Sequence, residues 1–110
     1  MTLTAQQVFD TAYLGVMRQG ALSKGDRASC YYRHPTLPLK CAVGHLIDDT
    51  LADAWEGLTV GYNMNLPHAL SPHRDLLMNL QEAHDASDNL GEFQERAEKV
   101  ARDHKLVMPT

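Results

Sequence analysis

A chain of 110 residues has room for one domain with a small core, and its 44% hydrophobic and 22% charged residues exclude an intrinsically disordered protein. The net charge of −4, without a cluster of Lys and Arg, argues against direct binding of nucleic acid through its phosphates. No apolar run is long enough to span a membrane, and the N-terminus lacks the pattern of a signal peptide, so we expect a cytoplasmic protein with reduced cysteines.

The first predicted element is a helix from about Thr4 to Gln19. Thr4 and Gln7 have the spacing of a capping box, in which each side chain bonds the backbone N–H of the other residue. Apolar residues recur at three- and four-residue spacing over this range, which predicts one buried face. Gly20 is expected to end the helix in the left-handed conformation.

A β-hairpin is predicted after the first helix. Two short segments, Ser29–Arg33 and Leu39–Val43, flank a loop with two prolines at His34–Pro38. Short segments with aromatic residues on either side of such a loop are typical of paired strands. Because a lone two-stranded hairpin is marginal in water, we expect this one to pack on a helix.

The second predicted helix is short and lies directly after the hairpin. Asp48 or Asp49 is expected to cap its N-terminus, and Gly57 to end it. Trp55 falls on the side that faces the core. An ordered but irregular loop is predicted from Leu58 to Ala69, and a loop of that length is a candidate for function.

Two longer helices complete the predicted fold. Ser71 is expected to be the N-cap of the third helix, with Pro72 in its first turn. A turn at Asp85–Asn89 separates it from a fourth helix over about Leu90–His104. The predicted fold class is therefore α+β, a single domain over residues 1–110, with about four helices and an inserted two-stranded hairpin.

Four stretches of this sequence read C-Y-Y-R, K-C-A-V-G-H-L-I-D-D, W-E-G and L-x-x-L-Q-E-A-H-D. With this pattern the chain resembles a family of small uncharacterised proteins from phages, prophages and bacteria, and the resemblance covers roughly residues 8 to 100. The matching residues in this chain are Cys30, Tyr32, Arg33, Lys40, Cys41, Ala42, Val43, Gly44, Leu46, Ile47, Glu56, Gly57, Leu80, Gln81, His84 and Asp85. The resemblance implies a phage-associated protein that acts on host machinery, including defence systems such as CRISPR.

A zinc site is the alternative interpretation of the cysteines. Cys30, Cys41 and His45, with His34 or His84 as a fourth ligand, provide the N and S donors that tetrahedral zinc takes. The spacing C-x10-C-x3-H lacks the close pair of cysteines typical of structural zinc sites. We therefore expect two thiols packed at the base of the hairpin, and no cofactor.

His84 and Asp85 together resemble the histidine–aspartate pair of metal-dependent phosphohydrolases. Such enzymes need further histidine and aspartate ligands on a larger helical scaffold. The favoured interpretation is that His84 caps the carbonyls at the end of the third helix. A cysteine nucleophile with a histidine base is a further alternative, but structural cysteines are favoured.

Six residues are candidates for binding a partner. Aromatic and arginine side chains dominate protein interfaces. A run of carboxylates is usually a solvated helix face, but it can also imitate the phosphates of nucleic acid. The candidates are Tyr31, Arg33, Asp48, Asp49, Asp53 and Glu56.

With no convincing catalytic constellation, the predicted function is a phage-type, non-catalytic protein. We expect it to bind and inhibit a host protein complex, including one that binds nucleic acid, as an anti-CRISPR or other anti-defence factor in the host cytoplasm. The alternative is a small metal-binding module or enzyme centred on Cys30, Cys41 and His45.

Overall fold

The computed structural model describes residues 3–23, 32, 39–55 and 66–109. Within these ranges the chain forms four α-helices and two short 3₁₀ helices. Their bounds are α1 Ala5–Gln19, α2 Asp49–Trp55, α3 Arg74–Asp85 and α4 Leu90–Asp103. The 3₁₀ helices are Val43–Leu46, before α2, and Ser71–His73, before α3.

The predicted α+β class is wrong for the part of the chain that the structure describes. There, 66% of the residues are helical and no strand or hairpin is present, so the described fold is all-α. In the second predicted strand, only an isolated β-bridge at Lys40 is present among the described residues. The chain then enters a 3₁₀ helix at Val43. Apart from Tyr32, the first predicted strand lies outside the described residues.

The side chain of Gln19 binds both backbone groups of Lys40, within the second predicted strand. Its Oε1 accepts a hydrogen bond from the Lys40 N–H at 3.0 Å, and its Nε2 donates to the Lys40 carbonyl at 2.7 Å. A strand partner on that side would bond the same two backbone groups. An α1 side chain therefore occupies one side of this short segment.

The predicted boundaries of α1 are confirmed. The Thr4 hydroxyl accepts from the Gln7 N–H at 3.1 Å, and Gln7 Oε1 accepts from the Thr4 N–H at 2.8 Å, which completes the capping box. Gly20 ends the helix with a φ of 84°. The apolar face of the helix is buried, as its periodicity predicts; its members are Val8, Phe9, Ala12, Tyr13 and Val16.

Of the two predicted capping aspartates, Asp48 is the one that caps α2. Its Oδ1 accepts a hydrogen bond from the Leu51 N–H at 2.8 Å, and the helix begins at Asp49. Trp55 is only 5% exposed, and its ring meets the edge of the Tyr32 ring at a centroid distance of 5.9 Å. The expected stop at Gly57 and most of the loop over 58–69 lie outside the described residues.

The prediction for the start of α3 is wrong, whereas that for α4 is confirmed. Ser71 opens a 3₁₀ helix, its hydroxyl donates to the His68 carbonyl at 3.2 Å, and α3 begins at Arg74. In α4, Asn89 is the N-cap, because its side-chain oxygen accepts from the Glu92 N–H at 2.9 Å.

The core lies where α1, α3 and α4 meet, with the 3₁₀ helix Val43–Leu46 packed against α1. Tyr13 stacks between Phe9 at 5.8 Å and Phe93 at 5.9 Å, so the aromatic contact joins α1 to α4. Burial, and then the charge of Glu98, raise the pKa of Tyr13 above its usual value. Among the described helices, none is long and apolar enough to cross a membrane.

Candidate functional site

The polar residues of α3 form a hydrogen-bonded chain centred on Asp85. Its Oδ1 accepts from Gln81 Nε2 at 2.7 Å and lies 3.3 Å from His84 Nδ1. Gln81 Oε1 accepts from the Val43 N–H at 3.3 Å, and His84 Nε2 lies 3.2 Å from the Ser23 nitrogen. Because a backbone N–H only donates, the neutral His84 carries its proton on Nδ1 and donates it to Asp85.

Within this hydrogen-bonded series, His84 is fully buried. Its side chain has no exposure, and its ring meets the edge of Phe93 at a centroid distance of 6.1 Å. The prediction that it caps the carbonyls at the end of α3 is wrong, because it bonds Ser23 and Asp85 instead. Its position four residues after Leu80, on the buried stripe of α3, is the sequence signal for this placement.

The candidate zinc ligands are held by other partners in the described part of the chain. Cys41 is buried, and its Sγ accepts from the Gly44 N–H at 3.3 Å. Nε2 of His45 contacts Gln19 Oε1 at 3.1 Å. No three His, Cys, Asp or Glu side chains within residues 3–23, 32, 39–55 and 66–109 are grouped to hold a metal. Cys30 and His34 lie outside these ranges, so the zinc alternative stays a prediction.

Gln19 positions His45 as well as Lys40. The amide nitrogen of Gln19 donates to the carbonyls of Ala21 at 2.8 Å and Lys40 at 2.7 Å, so its Oε1 is the acceptor for its other contacts. The contact with His45 is therefore a hydrogen bond that Nε2–H donates. The ring lies over Gly15 of α1, where an added Cβ would stand 2.5 Å from the imidazole Cγ. Gln19 and the backbone at Gly15 together orient this ring.

Three of the predicted partner-binding residues lie together on α2. Asp48, Asp49 and Asp53 are all exposed at its N-terminal end and outer side. Asp48 is also structural, since it caps the helix. The other three candidates, Tyr31, Arg33 and Glu56, lie outside the described residues.

No family model, curated protein or solved structure matches this chain. The arrangement of its own side chains is therefore the basis for a functional proposal.

Proposed function

We propose that this chain is a non-catalytic binding protein that inhibits a host protein complex, and that it contacts a basic surface of that complex through α2. The observation that carries the proposal is the exposure of Asp48, Asp49 and Asp53 on a helix whose other side, at Ala52 and Trp55, is buried. A helix anchored in this way presents its carboxylates in a defined arrangement, which lowers the entropy lost on binding.

The state of the reactive side chains supports a role without catalysis. The thiol of Cys41 is buried and accepts a backbone N–H, and both nitrogens of His84 are hydrogen-bonded inside the core. A nucleophile or general base must reach its substrate within hydrogen-bond distance. In the described conformation neither group meets that requirement.

The chemistry of the acidic side chains supports a partner that binds nucleic acid. Such a partner has a positive surface for phosphates, and a row of carboxylates is complementary to it. The resemblance to phage and prophage proteins supports the biological setting, an anti-CRISPR or other anti-defence factor in the host cytoplasm.

A binding experiment with charge-reversed variants tests this proposal. Asp49→Lys together with Asp53→Lys removes the acidic face but keeps the Asp48 cap. The matched control, Glu82→Lys together with Glu95→Lys, makes the same change in net charge at exposed positions of α3 and α4. Partners captured from a bacterial lysate by the wild-type protein are identified by mass spectrometry, and affinity is then measured at several salt concentrations.

We expect the α2 variant to bind the captured complex more weakly and with less salt dependence, because it has lost the steering charges. The control variant should bind as the wild type does, and circular dichroism should show both folds intact. The proposal fails if the α2 variant binds with unchanged affinity and salt dependence. It also fails if the protein turns over a substrate in a reaction that depends on Cys30, Cys41 or His84.

A further inference from the structure

A surface depression of about 330 Å³ lies along one face of α1. The α1 residues that line it recur at the three- and four-residue spacing of one helix face. His45, from the 3₁₀ helix Val43–Leu46, completes the lining. The full set is Asp10, Thr11, Leu14, Gly15, Arg18 and His45.

The depression has opposite charges at its two ends. Asp10 and Arg18 are separated by about 12 Å along the helix axis. Between them lies Leu14, which offers an aliphatic side chain, and beside it the His45 ring covers Gly15. Such an order of acidic, apolar and basic groups is complementary to a ligand with an ammonium at one end and an anion at the other.

Both charged groups retain hydrogen-bonding capacity. Arg18 is exposed and forms no ion pair with another described residue, so its five N–H donors are available. Asp10 Oδ1 accepts from Gln6 Nε2 at 2.8 Å, which orients the carboxylate and leaves Oδ2 for a further donor. Arg18 lies in the last turn of α1, where the helix dipole favours a positive charge. The dipole does not explain why the His45 ring beside it is ordered.

The ordered ring is His45, whose orientation is set from two sides. The absence of a side chain at Gly15 lets the imidazole approach α1. The hydrogen bond from Nε2–H to Gln19 Oε1 restrains rotation of the ring. Gln19 is itself held by Lys40 and Ala21. A positioned ring at the edge of a depression gives a ligand a rigid surface to pack on at low entropic cost.

We propose that this depression binds a short zwitterion, with its anionic group at Arg18, its ammonium at Asp10 and an aliphatic stretch over Leu14 beside the His45 ring. The site is independent of the acidic face of α2. Loss of one function by mutation therefore leaves the other measurable.

Titration followed by NMR of the backbone amides tests the site with three probes of equal chain length. These are 6-aminohexanoate, which has both charges, hexanoate, which has only the anion, and hexylamine, which has only the cation. We expect saturable shifts at the Leu14, Gly15 and Arg18 amides, and tighter binding of 6-aminohexanoate than of either other probe. Because an exposed ion pair contributes little, each charge of 6-aminohexanoate should raise its affinity by up to about five-fold.

Two neutralising variants assign the two ends. Arg18→Gln should lower the affinity for 6-aminohexanoate to that of hexylamine, and Asp10→Asn should lower it to that of hexanoate. The matched controls, Arg96→Gln and Glu82→Gln, lie in a separate depression of about 260 Å³ between α3 and α4 and should leave binding unchanged. Equal affinity for all three probes, absence of saturable shifts, or an equal effect of the control variants would overturn the proposal.

Discussion

Two residues among those described have backbone conformations in the left-handed region, Gly20 with a φ of 84° and Lys105 with a φ of 58°. Gly20 ends α1, and a glycine there is strain-free. Lys105 follows α4 in a Schellman motif, in which its N–H bonds the Arg102 carbonyl at 3.1 Å and the Leu106 N–H bonds the Ala101 carbonyl at 2.7 Å. The same conformation therefore costs free energy at Lys105 but not at Gly20.

Lys105→Gly should stabilise the protein. Relief of left-handed strain outweighs the added entropy of the unfolded chain, and we expect the free energy of unfolding to rise by about 0.5–1 kcal/mol. Gly20→Ala is the matched control, in which the expected change in stability has the opposite sign. An added Cβ at Gly20 meets nothing within 4 Å, so its expected loss of about 1 kcal/mol reports backbone strain alone. Urea denaturation measures both, and a destabilised Lys105→Gly variant would contradict the strain assignment.

At the scale of single elements, α2 is anchored by its buried side chains. It has seven residues, too few for an isolated helix to be stable in water. Trp55 is 5% exposed and Ala52 is fully buried, so tertiary contacts, including the edge contact with Tyr32, stabilise it. The proposed binding surface depends on that anchor, since the exposed aspartates are on the same helix.

Trp55→Ala should lower the free energy of unfolding by about 3–5 kcal/mol, because it removes a large buried ring and leaves a cavity. Thr50→Ala, at an exposed position of the same helix, is the control and should change stability by less than about 0.5 kcal/mol. Thermal denaturation compares the two variants. A native tryptophan emission at the wavelength of a fully solvated indole would show that Trp55 is not buried.

At the scale of the whole molecule, side-chain amides and His84 join segments that are distant in the chain. Gln6 Nε2 donates to the Val107 carbonyl at 2.7 Å, and its Oε1 accepts from the Val107 N–H at 2.9 Å, so α1 holds the segment after α4. Gln19 holds Lys40 by the same pair of bonds. His84 reaches from α3 to the backbone of Ser23.

The link through His84 makes a testable contribution to global stability. His84→Gln keeps an acceptor that can reach the Ser23 N–H, whereas His84→Leu removes this buried hydrogen bond. We expect the leucine variant to be less stable than the glutamine variant by about 1–3 kcal/mol. Hydrogen exchange should show faster exchange of the Ser23 amide in the leucine variant. Equal stability and equal exchange in the two variants would show that this bond does not hold the fold together.

Local sequence signals were sufficient where neighbouring residues decide the outcome. The capping box of Thr4 and Gln7 and the stop at Gly20 are each completed within one helical turn, so spacing alone predicts them. The buried faces of α1 and α4 follow from periodicity for the same reason. In the candidate site, the acidic residues of α2 were predicted from the sequence. They are exposed because Ala52 and Trp55 occupy the buried side of the same helix.

Only the tertiary structure decided the features that depend on distant partners. Aromatic residues around a proline loop are compatible with paired strands, but Gln19 of α1 bonds the backbone of Lys40 and the chain enters a 3₁₀ helix at Val43. A histidine at a helix end is compatible with a cap. His84 instead accepts a hydrogen bond from the N–H of Ser23, which is far away in the chain. Hydrogen-bond partners brought together by folding leave no periodic pattern in the sequence, whereas capping and amphipathic helices do.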